Sequence, residues 1–180
     1  VSAGGATITG NSTITGTLTA PTSYLDGNAR EIKANAPIRK TAAAPVNNST
    51  TLQNDDHFTF PIAANEVWVV DLYLLMTEFN ITADMKYTWS LPVGASMLSL
   101  VQVATAGVAA LDTNAGGTSP GTAIALDFIS NAGEKLVYIH STLVNAGTAG
   151  TAVLQWAQNT AAANNLTMGT NSYMTRTRVA

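Results

Sequence analysis

The chain has 180 residues, of which 46% are hydrophobic and 11% charged, and a net charge of −3. So apolar and charge-poor a composition excludes a disordered chain, and its length suits one domain with an appendage. The few basic residues form no stripe, no apolar run reaches ~18 residues and there is no cysteine, which argues against nucleic-acid binding, a membrane span, disulfides and thiolate metal sites.

The first residues, Val1-Ser2-Ala3-Gly4-Gly5, lack the basic start and apolar middle of a secretion signal, so none is expected there. From Ala6 to Ala20 the odd positions are almost all threonine, and the even positions carry Ala6, Ile8, Gly10, Ser12, Ile14, Gly16, Leu18 and Ala20. This period of two puts a polar face opposite a small apolar one. Thr-Ile-Thr-Gly occurs at 7–10 and again at 13–16. A lone strand of this kind buries too little to offset the entropy of ordering it. The arm, residues 1–20, is therefore expected to pack on copies of itself or on a larger assembly, through Ile8, Ile14 and Leu18. Three such arms would close a narrow apolar axis without free strand edges, which predicts a homotrimer.

Pro21 ends the arm, because proline cannot donate to a sheet ladder. Residues 21–37 read as a connector, with a turn at Leu25-Asp26-Gly27-Asn28 and at most one helical turn from Ala29 to Ala34. The remainder, residues 38–180, is a succession of predicted strands at 38–44, 49–53, 57–62, 66–78, 83–91, 96–104, 122–130, 135–144, 151–158 and 172–179. Met85, Tyr87, Trp89 and Leu91 alternate with Asp84, Lys86, Thr88 and Ser90, as in a half-buried antiparallel strand. Val67 to Met76 is apolar on both faces apart from Asp71, which suits a central strand covered twice or one that also meets a neighbouring subunit. Gly-, Asn- and Pro-rich turns separate these runs. The fold class predicted is all-β: an antiparallel β-sandwich, jelly-roll-like, with an extended N-terminal arm.

Thr51-Leu52-Gln53-Asn54-Asp55-Asp56-His57-Phe58-Thr59-Phe60-Pro61-Ile62-Ala63-Ala64-Asn65 resembles a segment that opens a β-sandwich in structural proteins of tailed bacteriophages. Lys86-Tyr87-Thr88-Trp89-Ser90-Leu91-Pro92-Val93-Gly94-Ala95 is similar to a second strand of that family, and Leu154-Gln155-Trp156-Ala157-Gln158-Asn159 with Gly169 to Val179 to its closing strands. Thr170-Asn171 intervene between that glycine and Ser172-Tyr173, a small departure. The arm separately resembles the Gly-Thr-rich strands of phage fibre shafts. The resemblance covers about residues 40–180 and implies a virion part: a tail fibre, minor tail protein or capsid decoration, with no catalytic residues to carry over.

The residues that could carry chemistry are few. Asn54-Asp55-Asp56-His57 could offer oxygens and an imidazole to a metal, but one loop supplies too few ligands, and a loop leading into the strand at 57–62, with Asp capping backbone amides, is the better reading. Asp112-Thr113-Asn114-Ala115-Gly116 starts like a calcium loop, yet its twelfth position would be Ala123, so an exposed Gly-rich loop is expected. His140-Ser141 beside Tyr138 lacks a nucleophile elbow and reads as the polar face of a strand. The carboxylates Glu66, Asp71, Glu78, Asp84, Asp127 and Glu134 show no spacing that selects an acid–base pair. Asp71 interrupts an apolar strand and needs a partner; Arg176 or Arg178, from this or another subunit, is the expected one. Trp68, Trp89 and Trp156 could stack on a receptor sugar but lie in apolar strands, where core or subunit contact fits better.

These readings lead to a non-enzymatic virion structural protein without cofactor or metal. A capsid decoration (cement) subunit is preferred, with a short tail fibre or receptor-binding tip as the rival and a glycan-cleaving enzyme a distant third. Its expected partners are itself as a homotrimer, the major capsid protein or other virion proteins, and a host surface glycan or protein in the rival reading.

Overall fold

A computed structural model of the chain describes residues 36–78, 83–105, 121–126 and 133–180, together with the strand backbones at Tyr24–Leu25, Glu31–Ile32 and Leu111–Ala115. The arm, with Ile8, Ile14 and Leu18, and Asp127 lie outside the described residues. The chain divides into two units, Val1–Ala34 and Asn35–Ala180.

In the first unit β1 (Tyr24–Leu25) pairs antiparallel with β2 (Glu31–Ile32), Tyr24 opposite Ile32. The helical turn expected over Ala29 to Ala34 gives way to this strand. The intervening sequence contains Asp26-Gly27, a hairpin signal, and β-branched Ile32 favours extended backbone.

The second unit contains β3 (Ile38–Arg39), β4 (Ala44–Val46), β5 (Gln53–Ile62), β6 (Val67–Glu78), β7 (Met85–Ser90), β8 (Ser96–Thr105), β9 (Leu111–Ala115), β10 (Ile124–Leu126), β11 (Gly133–Val144), β12 (Gly150–Gln158), β13 (Leu166–Met168) and β14 (Tyr173–Arg178). A smaller sheet has the order β10-β7-β12-β5, and a larger one the order β3-β14-β6-β11-β8-β9, with β13 joining β6 to β4. Every pairing is antiparallel. Along the chain β5, β6, β7, β8, β10, β11, β12 and β14 fall alternately in the two sheets. Each connection between them therefore crosses the sandwich, which is the wrapped, jelly-roll-like pattern.

The core lies between the sheets. Phe58, Phe60 and Ile62 of β5, Met85, Tyr87 and Trp89 of β7, and Leu154 and Trp156 of β12 are buried from one side. Val70, Leu72, Leu74 and Met76 of β6, Val101 and Val103 of β8, and Val137 and Ile139 of β11 meet them from the other. The apolar run in β6 is thus resolved by parity: its even positions from Trp68 to Glu78 are buried, and its odd positions are partly exposed. It is a central strand with one face in the core and the other on the outer surface of the large sheet.

Two expectations are corrected and one strand is added. Residues 49–52 form no strand, because the buried Gln158 side chain accepts the Ser49 amide at 3.0 Å and holds this segment as a loop. Asp112 to Ala115 lie not in an exposed loop but in β9, paired with β8 so that Asp112 stands opposite Val103. β13 carries no strand signal of its own beyond Leu166 and Met168, and it exists because Glu78, Thr77 and Met76 at the end of β6 offer it a ladder.

Candidate functional site

Two polar clusters stand out, one inside the sandwich wall and one on its outer face. The first begins with a backbone irregularity. Opposite β12, Thr59 pairs with Val153 but Asn54 pairs with Gln155, so Asp55 to Phe58 together face the single residue Leu154. Such a bulge interrupts the ladder and re-aims side chains. The interrupted amides are satisfied by Asp55: its Oδ1 accepts the backbone N–H of His57 at 2.9 Å and of Phe58 at 3.0 Å. The capping role expected for Asp is borne out, but on a bulge inside β5 rather than in the loop expected before residue 57. Its Oδ2 accepts the Trp156 indole N–H at 3.2 Å and the Lys40 Nζ at 2.8 Å.

Lys40 follows β3 and is pinned by its own backbone, which donates to the Ser172 carbonyl at 2.8 Å and accepts from the Asn171 amide at 3.0 Å. Its ammonium lies 5.7 Å from the centre of the Phe58 ring. The Lys40 and Asp55 side chains are both 0% exposed, whereas Asp56 is 63% exposed. Asp56 Oδ1 accepts from Lys40 Nζ at 2.5 Å and pairs with His57 Nδ1 at 2.7 Å. The Thr41 amide donates to His57 Nε2 at 3.3 Å, which assigns the Nδ1 proton to the Asp56 side. The hydrogen bond from Lys40, and then the one from His57, hold the Asp56 carboxyl down at about 2. A buried ammonium without partners would cost several kcal/mol, and these two carboxylates offset that cost. Asp55, Asp56 and His57 do bring ligand atoms within 4.8 Å of one another. The Lys40 ammonium, however, sits between the two carboxylates, where a cation would have to bind.

The second cluster is on the outer face of the large sheet. Tyr73 stands opposite Tyr138 on one side and Tyr173 on the other, so three tyrosines cross three adjacent strands in a row. Tyr73 stacks on Tyr173 at 4.6 Å between ring centres and tilts against Tyr138 at 5.0 Å. In the next row Asp71 faces His140. Asp71 Oδ1 accepts the Tyr138 hydroxyl at 2.6 Å and lies 2.8 Å from His140 Nδ1. The hydrogen bond to this carboxylate, with burial, pushes the Tyr138 phenol well above its usual range. Apolar side chains surround the cluster: Leu75, Leu98, Leu100, Leu136 and Val144 are all exposed, Leu98 at 61%. An open groove of about 450 Å³ continues this face beside Leu75, Ala104, Leu136 and Gly169.

Within the chain, the expected Asp71–arginine pair is therefore corrected. In β14, Thr175 stands opposite Asp71, while Arg176 and Arg178 stand opposite Val70 and Trp68, whose side chains point inward. Parity puts both arginines on the face away from Asp71. Arg178 instead pairs with Glu66 at 2.9 Å, and Arg176 packs 5.3 Å from the Phe60 ring. Burial raises the Glu66 carboxyl, but the Arg178 guanidinium, the Ala63 amide and the Trp68 indole outweigh it and hold the carboxyl below its usual range.

The other candidates are also placed. Trp68, Trp89 and Trp156 are core residues with 7%, 0% and 1% exposure, so a receptor role for them is corrected to packing. His140 is 41% exposed, while Ser141 is buried on the opposite face against the Ser99 hydroxyl at 2.8 Å. They point apart and form no nucleophile–base pair. Burial raises the Glu78 carboxyl, with Lys135 Nζ 3.8 Å away. Asp84, in left-handed backbone at φ 44°, donates its amide to Glu78 at 3.4 Å, and Glu134 lines the groove. Lys40 and the tyrosine row were not singled out in the sequence. Lys40 gives no local signal. Each of Tyr73, Tyr138 and Tyr173 lies in a visible strand pattern, but which strands adjoin is not visible.

No family model matches this chain, and no curated protein matches its sequence.

Proposed function

We propose that the chain is a non-enzymatic structural protein of a tailed-phage virion, a capsid decoration subunit that assembles as a homotrimer and binds the major capsid protein. The observation that carries this reading is the outer face of the large sheet, where Leu75, Leu98, Leu100, Leu136 and Val144 are exposed around the tyrosine row. A contiguous apolar face of this kind is a contact surface rather than a solvated one. A second copy of the chain is the occupant argued for, because the polar groups at its centre are already bonded to one another and need nothing from a partner. The phage-like segments at 51–65, 86–95 and 154–159 supply the virion context. Immunogold labelling of virions tests it: label over the whole head is expected, and label confined to the tail end overturns decoration. Light scattering on the purified chain is expected to give a trimer, and Leu98→Glu to reduce it to a monomer that remains folded. A stable wild-type monomer at micromolar concentration would overturn the assembly reading.

The tail-tip reading rests on the same tyrosine row. Stacked rings beside a carboxylate and an imidazole are a surface on which a sugar ring can lie and be hydrogen-bonded. Loss of cell attachment on Tyr173→Ala, with the trimer intact, would favour that role over decoration.

A further inference from the structure

We propose that Lys40 and Asp55 join covalently, forming an isopeptide bond from Lys40 Nζ to Asp55 Cγ with loss of one water. The inference is independent of the virion reading and rests on the geometry of the bulge. The two side chains are fully buried and already in contact at 2.8 Å. Holding reactants at such a distance in one orientation replaces a bimolecular step by an intramolecular one. The backbone amides of His57 and Phe58 both point at Asp55 Oδ1. That is the arrangement that stabilises an oxyanion on a tetrahedral carbon.

The charges and atoms balance within the site. Lys40 begins as an ammonium and Asp55 as a carboxylate. One proton passes from Nζ to Oδ2 across their hydrogen bond, leaving an amine beside a carboxylic acid. The free amine attacks Cγ, the N–C bond forms, and negative charge develops on Oδ1 against the two amides. Asp56 Oδ1, 2.5 Å from Nζ, takes the second proton and returns it to Oδ2. The Cγ–Oδ2 bond then breaks and Oδ2 leaves as water with both protons. One positive and one negative charge disappear together, so no oxidant or external reactant is needed. His57, hydrogen-bonded to Asp56, orients that carboxylate. The bond fastens the residue after the two-residue β3 to the ten-residue β5. It thereby clamps the first strand of the sandwich unit to β5.

Intact mass spectrometry of the purified full chain tests this directly. The expected mass is that of the sequence less one water. Digestion that cuts after Leu52 should leave the flanking fragments joined at Lys40 and Asp55. Lys40→Arg and Asp55→Ala should each restore the full mass, and Asp55→Asn should close with loss of ammonia instead. Asp56→Asn, at an exposed position, should slow closure about ten-fold or more in pulse-labelled protein. Full sequence mass in wild type after prolonged incubation overturns the proposal. So does a water loss that maps to an unbranched peptide, which is a succinimide rather than a cross-link.

Discussion

Asp55 and Asp71 are both strand aspartates within reach of a histidine and an aromatic donor, yet their surroundings differ in every respect that matters. Asp55 sits on a bulge, faces inward and gathers two backbone amides, an indole and a buried ammonium. Asp71 sits on an unbroken ladder, is 25% exposed, and bonds a phenol and an imidazole on its own face. The first cluster closes the fold: without it, backbone donors and a cation are stranded in the wall of the sandwich. The second leaves the backbone indifferent and shapes only the surface. Residue type does not separate the two. Ladder regularity and the presence of a buried cation do.

The largest expected effect breaks this contrast at its root. Asp55→Ala leaves Lys40 buried beside a single exposed carboxylate and removes the acceptor of two amides. A loss of about 3–5 kcal/mol is expected, the usual cost of orphaning a buried charge. Trp89→Ala and Trp156→Ala belong in the same class, at about 3–5 kcal/mol each, because each empties a large core site. Asp71→Ala should cost about 1 kcal/mol or less, since its bonds are partly solvated. Urea unfolding of the four variants measures the separation. Equal losses for the two aspartates would show that the bulge does not organise the wall.

A weaker effect sharpens the comparison by pH. The Asp56 carboxyl is lowered from 3.8 to about 2 by its bonds to Lys40 and His57. A depressed folded-state value means that the contribution to stability is complete above about 3.8 and is lost as pH falls through about 2. Glu66 is lowered too, and adds to the same acid loss. Melting temperature should therefore fall between pH 4 and pH 2, and Asp56→Asn should flatten part of that fall. An unchanged acid limb in the variant would remove Asp56 from the Lys40 network. A closed Lys40–Asp55 bond would also shrink the Asp56 share, because its cationic partner is then an amide.

Much of the sandwich was legible because alternation is a local property. Met85-Tyr87-Trp89 announces its strand and its inward face without reference to anything else, and the burial of β7 follows it. The same reasoning misjudged Arg176 and Arg178. Their identity suggested a partner for Asp71, but only the β14–β6 register, with Thr175 at Asp71, decides which side chains share a face. Register is set by pairing at long range and a one-residue shift reverses it. The bulge at Asp55 to Phe58 was half visible, since Asp capping was expected. The lysine it encloses was not, because Lys40 reaches it through tertiary packing on the turn at Asn171-Ser172. β9 was missed because Asp112-Thr113-Asn114 favours turns locally, and the edge of β8 overrides that preference.

The smallest effect concerns charge alone. Asp71→Asn preserves an acceptor for the Tyr138 hydroxyl but removes the negative charge. The hydrogen bond to that carboxylate is the main reason the Tyr138 phenol lies above its usual range, with burial next. The substitution should therefore bring Tyr138 back toward the ordinary tyrosine range with little change in melting temperature at neutral pH. Tyr87 provides an internal control: its phenol is pushed up to about 12 chiefly by burial in the core. No change on the outer face should move it. Spectrophotometric titration of phenolate in the two proteins reads both groups. One phenol shifting down while the other holds would establish that the outer cluster is electrostatically separate from the core. Movement of both would mean that Asp71 supports the packing of the sandwich after all, and the contrast between the two aspartates would collapse. The sign follows for stability at high pH. A raised phenol contributes below the unfolded value of 10.0 and loses that contribution as pH rises through the folded one. Wild type should consequently lose stability at alkaline pH through Tyr138, and Asp71→Asn should lose less.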